Sequence, residues 1–186
     1  MALRGKFGGN PMLDDGLEHN PRISRQALAA LHQGAFGWAL SLTAYDSQAA
    51  EDVMQQTYLT LLEGKARFDG ASSLKTWLYA VVRNIARRHL RTQKLERRRA
   101  AQYGQSPEAD AEAPLIETDD GTASIVRAAI RALPARQREV LELVIDAELT
   151  VEESAVVLGI STGSARTHYH RAKQKLREQL EQSHGG

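Results

Sequence analysis

Apolar residues recur every three or four positions along most of this chain, and that rhythm fails over one long internal stretch. Ala27, Leu28, Leu31, Ala35, Trp38 and Leu42 fall on one side of a helix over Ile23–Thr43. Ala50, Val53, Met54, Tyr58, Leu61 and Leu62 do the same over Ser47–Glu63. A third set, Leu74, Trp77, Leu78, Val81, Val82 and Ile85, spans Leu74–Leu90. Between the second and third helices, Phe68-Asp69-Gly70 in the loop Lys65–Ser73 is a turn signature. No alternating β-branched run and no hairpin dipeptide argues for a strand. From Gln102 to Gly121 the chain turns to acids, Ala, Gly and Pro without an apolar face, which is linker composition. The rhythm resumes at Ile125, Ala129, Ile130 and Leu133, then after Pro134 at Val140, Leu141, Val144 and Ile145. The expected fold is all-α, with two small helical domains joined by a flexible linker. The segments are a mobile N-terminal extension over 1–22, a first domain over 23–95, an acidic linker over 96–122 and a second domain over 123–182.

The last third is the part with a recognisable geometry. Thr150-Val151-Glu152-Glu153 has the spacing of a capping box, in which a hydroxyl and a carboxylate satisfy free helix-start amides. Ala155, Val156 and Leu158 follow, then Gly159 where a tight turn needs a permissive backbone. Ser161 can cap the next helix, which buries Ala165, Tyr169, Ala172 and Leu176. With Ala165 turned inward, Gly163, Arg166, Thr167, His170, Arg171 and Gln174 share the opposite face. Donors and small residues suit a duplex groove better than a protein core. The stretch reads as a helix-turn-helix that binds DNA.

Charge supports a nucleic-acid partner. The formal net charge is only +1, but Arg83 to Arg99 carries eight Lys/Arg against one Glu, while Gln105 to Gly121 carries six acids and no Lys or Arg. On the third helix Arg83, Asn84, Arg87, Arg88 and Arg91 lie away from the apolar side, where they can neutralise phosphates. Asn84 can pair with a base edge, and the loop Asp69, Gly70, Ala71, Ser72, Ser73 offers hydroxyls, a carboxylate and accessible amides. Loop and Asn84 together form a candidate pocket for an unstacked base. A linker of about 27 residues reaches at most ~90 Å at ~3.3 Å per residue, so the domains can engage separated DNA elements at once. Without cysteine there is no disulfide, thiol switch or cysteine-ligated metal. The six His are scattered, with His168 and His170 on different sides of a helix, so neither a metal nor a cofactor is expected. No membrane-length apolar run and no secretory h-region occur, so stable membrane insertion is not expected and the compartment is the cytoplasm.

These features together resemble the extracytoplasmic-function (ECF) sigma factors of bacterial RNA polymerase. The matching residues are Ala50-Glu51-Asp52-Val53-Met54-Gln55-Gln56-Thr57-Tyr58-Leu59, then Phe68-Asp69-Gly70, Thr76-Trp77-Leu78-Tyr79 and Arg83-Asn84-Ile85-Ala86. In the second domain they are Leu133-Pro134-Ala135-Arg136-Gln137-Arg138-Glu139-Val140, Ser161-Thr162-Gly163-Ser164-Ala165-Arg166-Thr167 and His170-Arg171-Ala172. The resemblance implies that 23–95 is a sigma region 2 domain and 123–182 a region 4 domain. It implies core-polymerase docking through the helix of Asp52, Gln55, Gln56 and Tyr58. It further implies capture of a flipped −10 base by Asp69 to Ser73 with Asn84, aided by Arg83, Arg87 and Arg88. Arg166, Thr167 and Arg171 match −35 contacts. The chain would be a promoter-specificity subunit without chemistry of its own, held in check by an anti-sigma factor. Two departures stand out: Gln56 where the family often has an acid, and Arg88 where an Asp is common.

Three other readings compete. A stand-alone helix-turn-helix regulator leaves the basic helix and Asn84 without work. A nucleic-acid-processing enzyme needs clustered carboxylates, a phosphate-cradling glycine loop or a nucleophile–base spacing that the chain lacks. A protein-binding adaptor fits poorly with arginine-rich faces.

Overall fold

The long helices of the first domain start at side chains that accept the amides a first turn leaves without partners. In the computed structural model, which describes residues 17–102, 126 and 128–184, Ser24 caps α1 (Arg25–Leu42) by accepting from the Ala27 amide at 3.1 Å. Asp46 caps α2 (Ser47–Leu62) through the Ala49 amide at 3.0 Å. Ser73 accepts from the Thr76 amide at 3.1 Å where α3 (Leu74–Gln102) begins. All elements among the described residues are helical.

The three helices form the first domain. Ala35 and Ala39 of α1, Ala50 and Val53 of α2, and Leu78 and Val82 of α3 are fully or almost fully buried. Small residues on α1 and α2 let the helices approach closely, and the larger side chains of α3 fill the space between them. Trp38 stacks on Tyr79 with ring centroids 6.4 Å apart, and its indole N–H donates to the Tyr79 carbonyl at 3.2 Å.

Two boundaries differ from the sequence expectation. Residues 17–22 belong to the first domain rather than to a mobile extension. Leu17–His19 forms a 3-10 turn, and Asn20 behind it is 1% exposed. The Asn20 amide donates to the carbonyls of Leu61 and Ala66 at 3.1 and 3.0 Å, and its oxygen accepts from the Phe68 amide at 2.9 Å. One side chain thus ties the end of α2 to the loop that follows it, adding to the local bond that the Leu61 carbonyl already accepts from the Gly64 amide at 3.2 Å. The remainder of the expected extension, 1–16, lies outside the described residues, as does most of the expected linker. At the other boundary α3 runs on through Gln102, seven residues into the segment assigned to that linker. Helical rise is ~1.5 Å per residue, so the greatest span of 96–122 falls from ~90 to about 77 Å.

The second domain contains a helical stretch at 128–131, then α4 (Ala135–Ile145), α5 (Val151–Leu158) and α6 (Thr162–His184). Leu133, Leu141 and Ala172 form its own small core with Tyr169 and Leu176. The two domains are in contact. A continuous apolar cluster runs from the first domain into Val140, Leu143, Leu149, Val157 and Leu158, and α3 packs along α5. The Arg131 guanidinium lies over the Tyr45 ring, 4.8 Å from its centroid, on the α1–α2 turn.

Candidate nucleic-acid interface

The helix-turn-helix is built as its sequence dictates. Thr150 Oγ1 accepts from the Glu153 amide at 3.1 Å, and the Glu153 carboxylate accepts from the Thr150 amide at 2.9 Å. Those bonds hold the Glu153 carboxyl below the usual carboxylate range, the Thr150 amide being the largest cause. At the other end of α5, Gly159 adopts φ 62°, and the Ile160 amide bonds back to the Ala155 carbonyl at 3.1 Å. Ser161 then accepts from the Ser164 amide at 3.1 Å and starts α6. Ala165 and Ala172 are fully buried, which fixes the rotation of the helix.

That rotation exposes Gly163, Arg166, Thr167, His170, Arg171 and Gln174 together. The stripe extends over twelve residues, ~16 Å of helix, the length of roughly five base pairs. Arg166 is held by Glu152 of α5 at 2.7 Å, and the same bond keeps the Glu152 carboxyl below its ordinary range. Thr167 donates its hydroxyl to the Gly163 carbonyl at 3.0 Å, leaving the oxygen lone pairs outward. Gln174 donates to Glu178 at 3.0 Å. His170 is exposed, whereas His168 lies partly buried with Nδ1 lacking a hydrogen-bond partner.

The candidate −10 residues divide. Asn84, Arg87 and Arg88 are exposed on α3, and Arg91 continues their stripe. Arg83 does not join them: it is 3% exposed and covered by the second domain, with Nη2 3.2 Å from Glu139 of α4. Burial lowers its pKa from the usual guanidinium value, partly countered by Glu139. The loop Asp69–Ser73 is tethered at its start by Arg22, which donates to the Asp69 carbonyl, and Asp69 accepts from the Ala71 amide at 2.9 Å. Asn84 lies ten residues beyond the first residue of α3, about 15 Å along the helix axis. By that estimate the helix start beside the loop and Asn84 are set apart along α3.

The candidate docking residues divide as well. Asp52, Gln55 and Gln56 are exposed beside a groove of about 510 Å³ between α2 and α3. Leu59, 49% exposed, and Thr60 extend its α2 wall, while Ile85, Arg88, His89 and Thr92 form the α3 wall. Tyr58 points elsewhere. Its hydroxyl meets His32 Nδ1 at 2.8 Å in a separate apolar pocket, and burial pushes its pKa up to about 12. Leu59 shares the groove face, since 52, 55, 56 and 59 follow helical spacing. Arg88 belongs to both the groove and the exposed basic stripe, so the two surfaces adjoin.

A helix-turn-helix with an exposed basic face, joined to a second basic surface beside a groove, places the chain among DNA-binding transcription factors. Residues 28–96 match the family model for Sigma-70 region 2, and residues 123–176 match that for Sigma-70, region 4. The RNA polymerase sigma factor HrpL of Pseudomonas syringae pv. syringae is 30% identical over 70% of this chain and 73% of its own length. The ECF RNA polymerase sigma factor EcfG of Rhodopseudomonas palustris (strain TIE-1) is 30% identical over 75% of each. Among solved structures, the sigma factor RpoE in complex with the anti-sigma factor NepR, from Bartonella quintana, superposes with a TM-score of 0.65 at 25% identity, covering 84% of this chain and 96% of that one. The chain belongs to the ECF sigma factors of bacterial RNA polymerase. Among the described residues no helix is long and apolar enough to cross a membrane.

Proposed function

We propose that this sigma factor divides promoter recognition among the three surfaces described above. The α2–α3 groove, with Asp52, Gln55, Gln56 and Leu59, docks on core polymerase. The loop Asp69–Ser73 with Asn84, Arg87 and Arg88 holds the exposed −10 strand, and Arg83 joins it when the domains part. The α6 stripe reads the −35 duplex. Phosphate contacts by the arginines supply affinity, while Asn84 and the α6 side chains select bases. The chain contributes binding energy alone, without cofactor or catalysis, and works in the cytoplasm. An anti-sigma factor restrains it, a reading supported by the complex in which its structural relative was solved. The observation that carries the −35 assignment is the common exposure of Gly163, Arg166, Thr167, His170, Arg171 and Gln174 on a helix whose other face is fixed by buried alanines.

Its test is a comparison of holoenzyme binding to the two elements of a promoter selected from a random library. Arg166→Ala with Arg171→Ala is expected to weaken the −35 duplex contact by about 1–3 kcal/mol per lost base pairing, with the −10 strand affected much less. Asn84→Ala is expected to do the reverse. Equal loss on both elements from either variant would contradict the division of labour.

A further inference from the structure

Among the described residues, two polar contacts between α3 and the second domain use a carboxylate that also has a partner within its own domain. Glu139 Oε2 lies 3.2 Å from Arg83 Nη2 on α3 and 2.9 Å from Arg136 Nη1, three residues earlier on α4. Glu153 Oε1 accepts from the Thr76 hydroxyl of α3 at 3.3 Å, while Oε2 accepts from the Thr150 amide and hydroxyl. If the domains part, neither carboxylate is stranded: Glu139 keeps Arg136, and Glu153 keeps its capping box. That removes much of the penalty of breaking a partly buried ion pair, which comes from leaving one charge without compensation.

Arg83 is the ill-served member. Its Nε is buried without a hydrogen-bond partner, and the positive charges of Arg136 and Arg87 both act against its own. A guanidinium is best satisfied by an anion that engages its fork, as a phosphate can. Closed packing therefore retains this arginine on a carboxylate while leaving part of its donor capacity unmet.

We propose that Glu139 is an intramolecular latch that holds the domains closed by occupying Arg83, with Arg136 as the partner to which it is released on opening. This rests on the assignment of Arg83 to the −10 surface made above. Strand entry is then an exchange of anions. A DNA phosphate replaces Glu139 on Arg83 while Glu139 relaxes onto Arg136, so that each guanidinium keeps a counter-charge. Arg136 has a defined sign in this scheme: it competes for Glu139 and repels Arg83, and so favours opening.

The chain has no cysteine, so Gln33→Cys on α1 and Glu178→Cys on α6, both at exposed positions, accept a dye pair without background. Energy transfer in the full chain, without polymerase, reads the closed and open populations. Binding of a labelled single-stranded oligodeoxynucleotide of mixed sequence reads access to Arg83. Glu139→Gln is expected to lower the closed-to-open ratio at least threefold and to tighten strand binding by a similar factor. Arg136→Ala is expected to shift both readouts the other way, an opposition of sign that general destabilisation does not produce. The same transfer distribution in the parent and both variants would overturn the latch, as would shifts of one sign in both. Opening by Glu139→Gln without tighter strand binding would uphold the latch and remove Arg83 from the −10 surface.

Discussion

Replacing Glu142 with glutamine should stabilise this protein, and increasingly so as the pH rises. Glu142 lies on α4 with only 5% of its surface exposed, and its Oε1 has no hydrogen-bond partner. Burial raises its carboxyl from 4.5 to about 7, against smaller lowering contributions from the Ser41 hydroxyl and Arg138, while Asp146 and Glu139 push it further up. Because the folded value lies above the unfolded one, the folded chain retains a proton that the unfolded chain releases between pH 4.5 and 7. Stability is therefore fullest below pH 4.5 as far as this group is concerned, and it is lost as the pH climbs through 7. At about 1.4 kcal/mol per pH unit the full penalty is about 3 kcal/mol, most of which accrues between pH 5 and 8. Glutamine keeps the shape and cannot ionise. The assay is urea unfolding followed by circular dichroism at pH 5 and pH 8, comparing Glu142→Gln with the parent so that other titrating groups cancel. The variant's advantage should grow by about 2–3 kcal/mol between the two pH values. An advantage that stays constant to within about 0.5 kcal/mol would refute the reasoning, since Glu142 would then ionise in the folded chain without penalty.

Other consequences are local. Asn20→Ala removes three hydrogen bonds from a buried site and leaves two carbonyls and an amide without that partner. It should cost about 3 kcal/mol, read by the fluorescence of Trp38 and Trp77, both in the first domain; a loss below about 1 kcal/mol would show that solvent replaces Asn20 readily. Gly159→Ala meets nothing within 4 Å, so only the left-handed backbone at φ 62° opposes it. The expected loss is about 1 kcal/mol, measured by the same urea titration, with the α6 stripe still able to bind duplex.

What could be read from the sequence follows the range of the interactions involved. The capping box at Thr150–Glu153, the turn at Gly159 and the cap at Ser161 are each completed within a few residues, so their geometry was legible in the order of side chains. The same holds for the α6 stripe, once the buried alanines fix the rotation of the helix. Asn20 was hidden because its partners lie more than forty residues away, and nothing in the run Leu17–Arg22 announces them. Arg83 shares a helix and a charge with Arg87 and Arg88, so composition placed all three on one surface. Only the approach of the second domain separates them, with α5 packed along α3 and Glu139 of α4 reaching Arg83. Tyr58 was grouped with Gln55 and Gln56 through the family resemblance, but the helix turns its ring toward His32 on the opposite side of α2. Long-range packing decided each of these cases, and the local pattern could not contain it.

The central claim is that this chain directs polymerase to promoters through a −10 strand held near Asn84 and a −35 duplex read by α6. Reconstituted transcription tests it most directly, with the full chain and bacterial core polymerase on a library of promoter fragments. The account predicts selective initiation that depends on the chain and is lost with Asn84→Ala. Failure to bind core polymerase, together with tight sequence-specific binding of the chain alone to intact duplex, would contradict it.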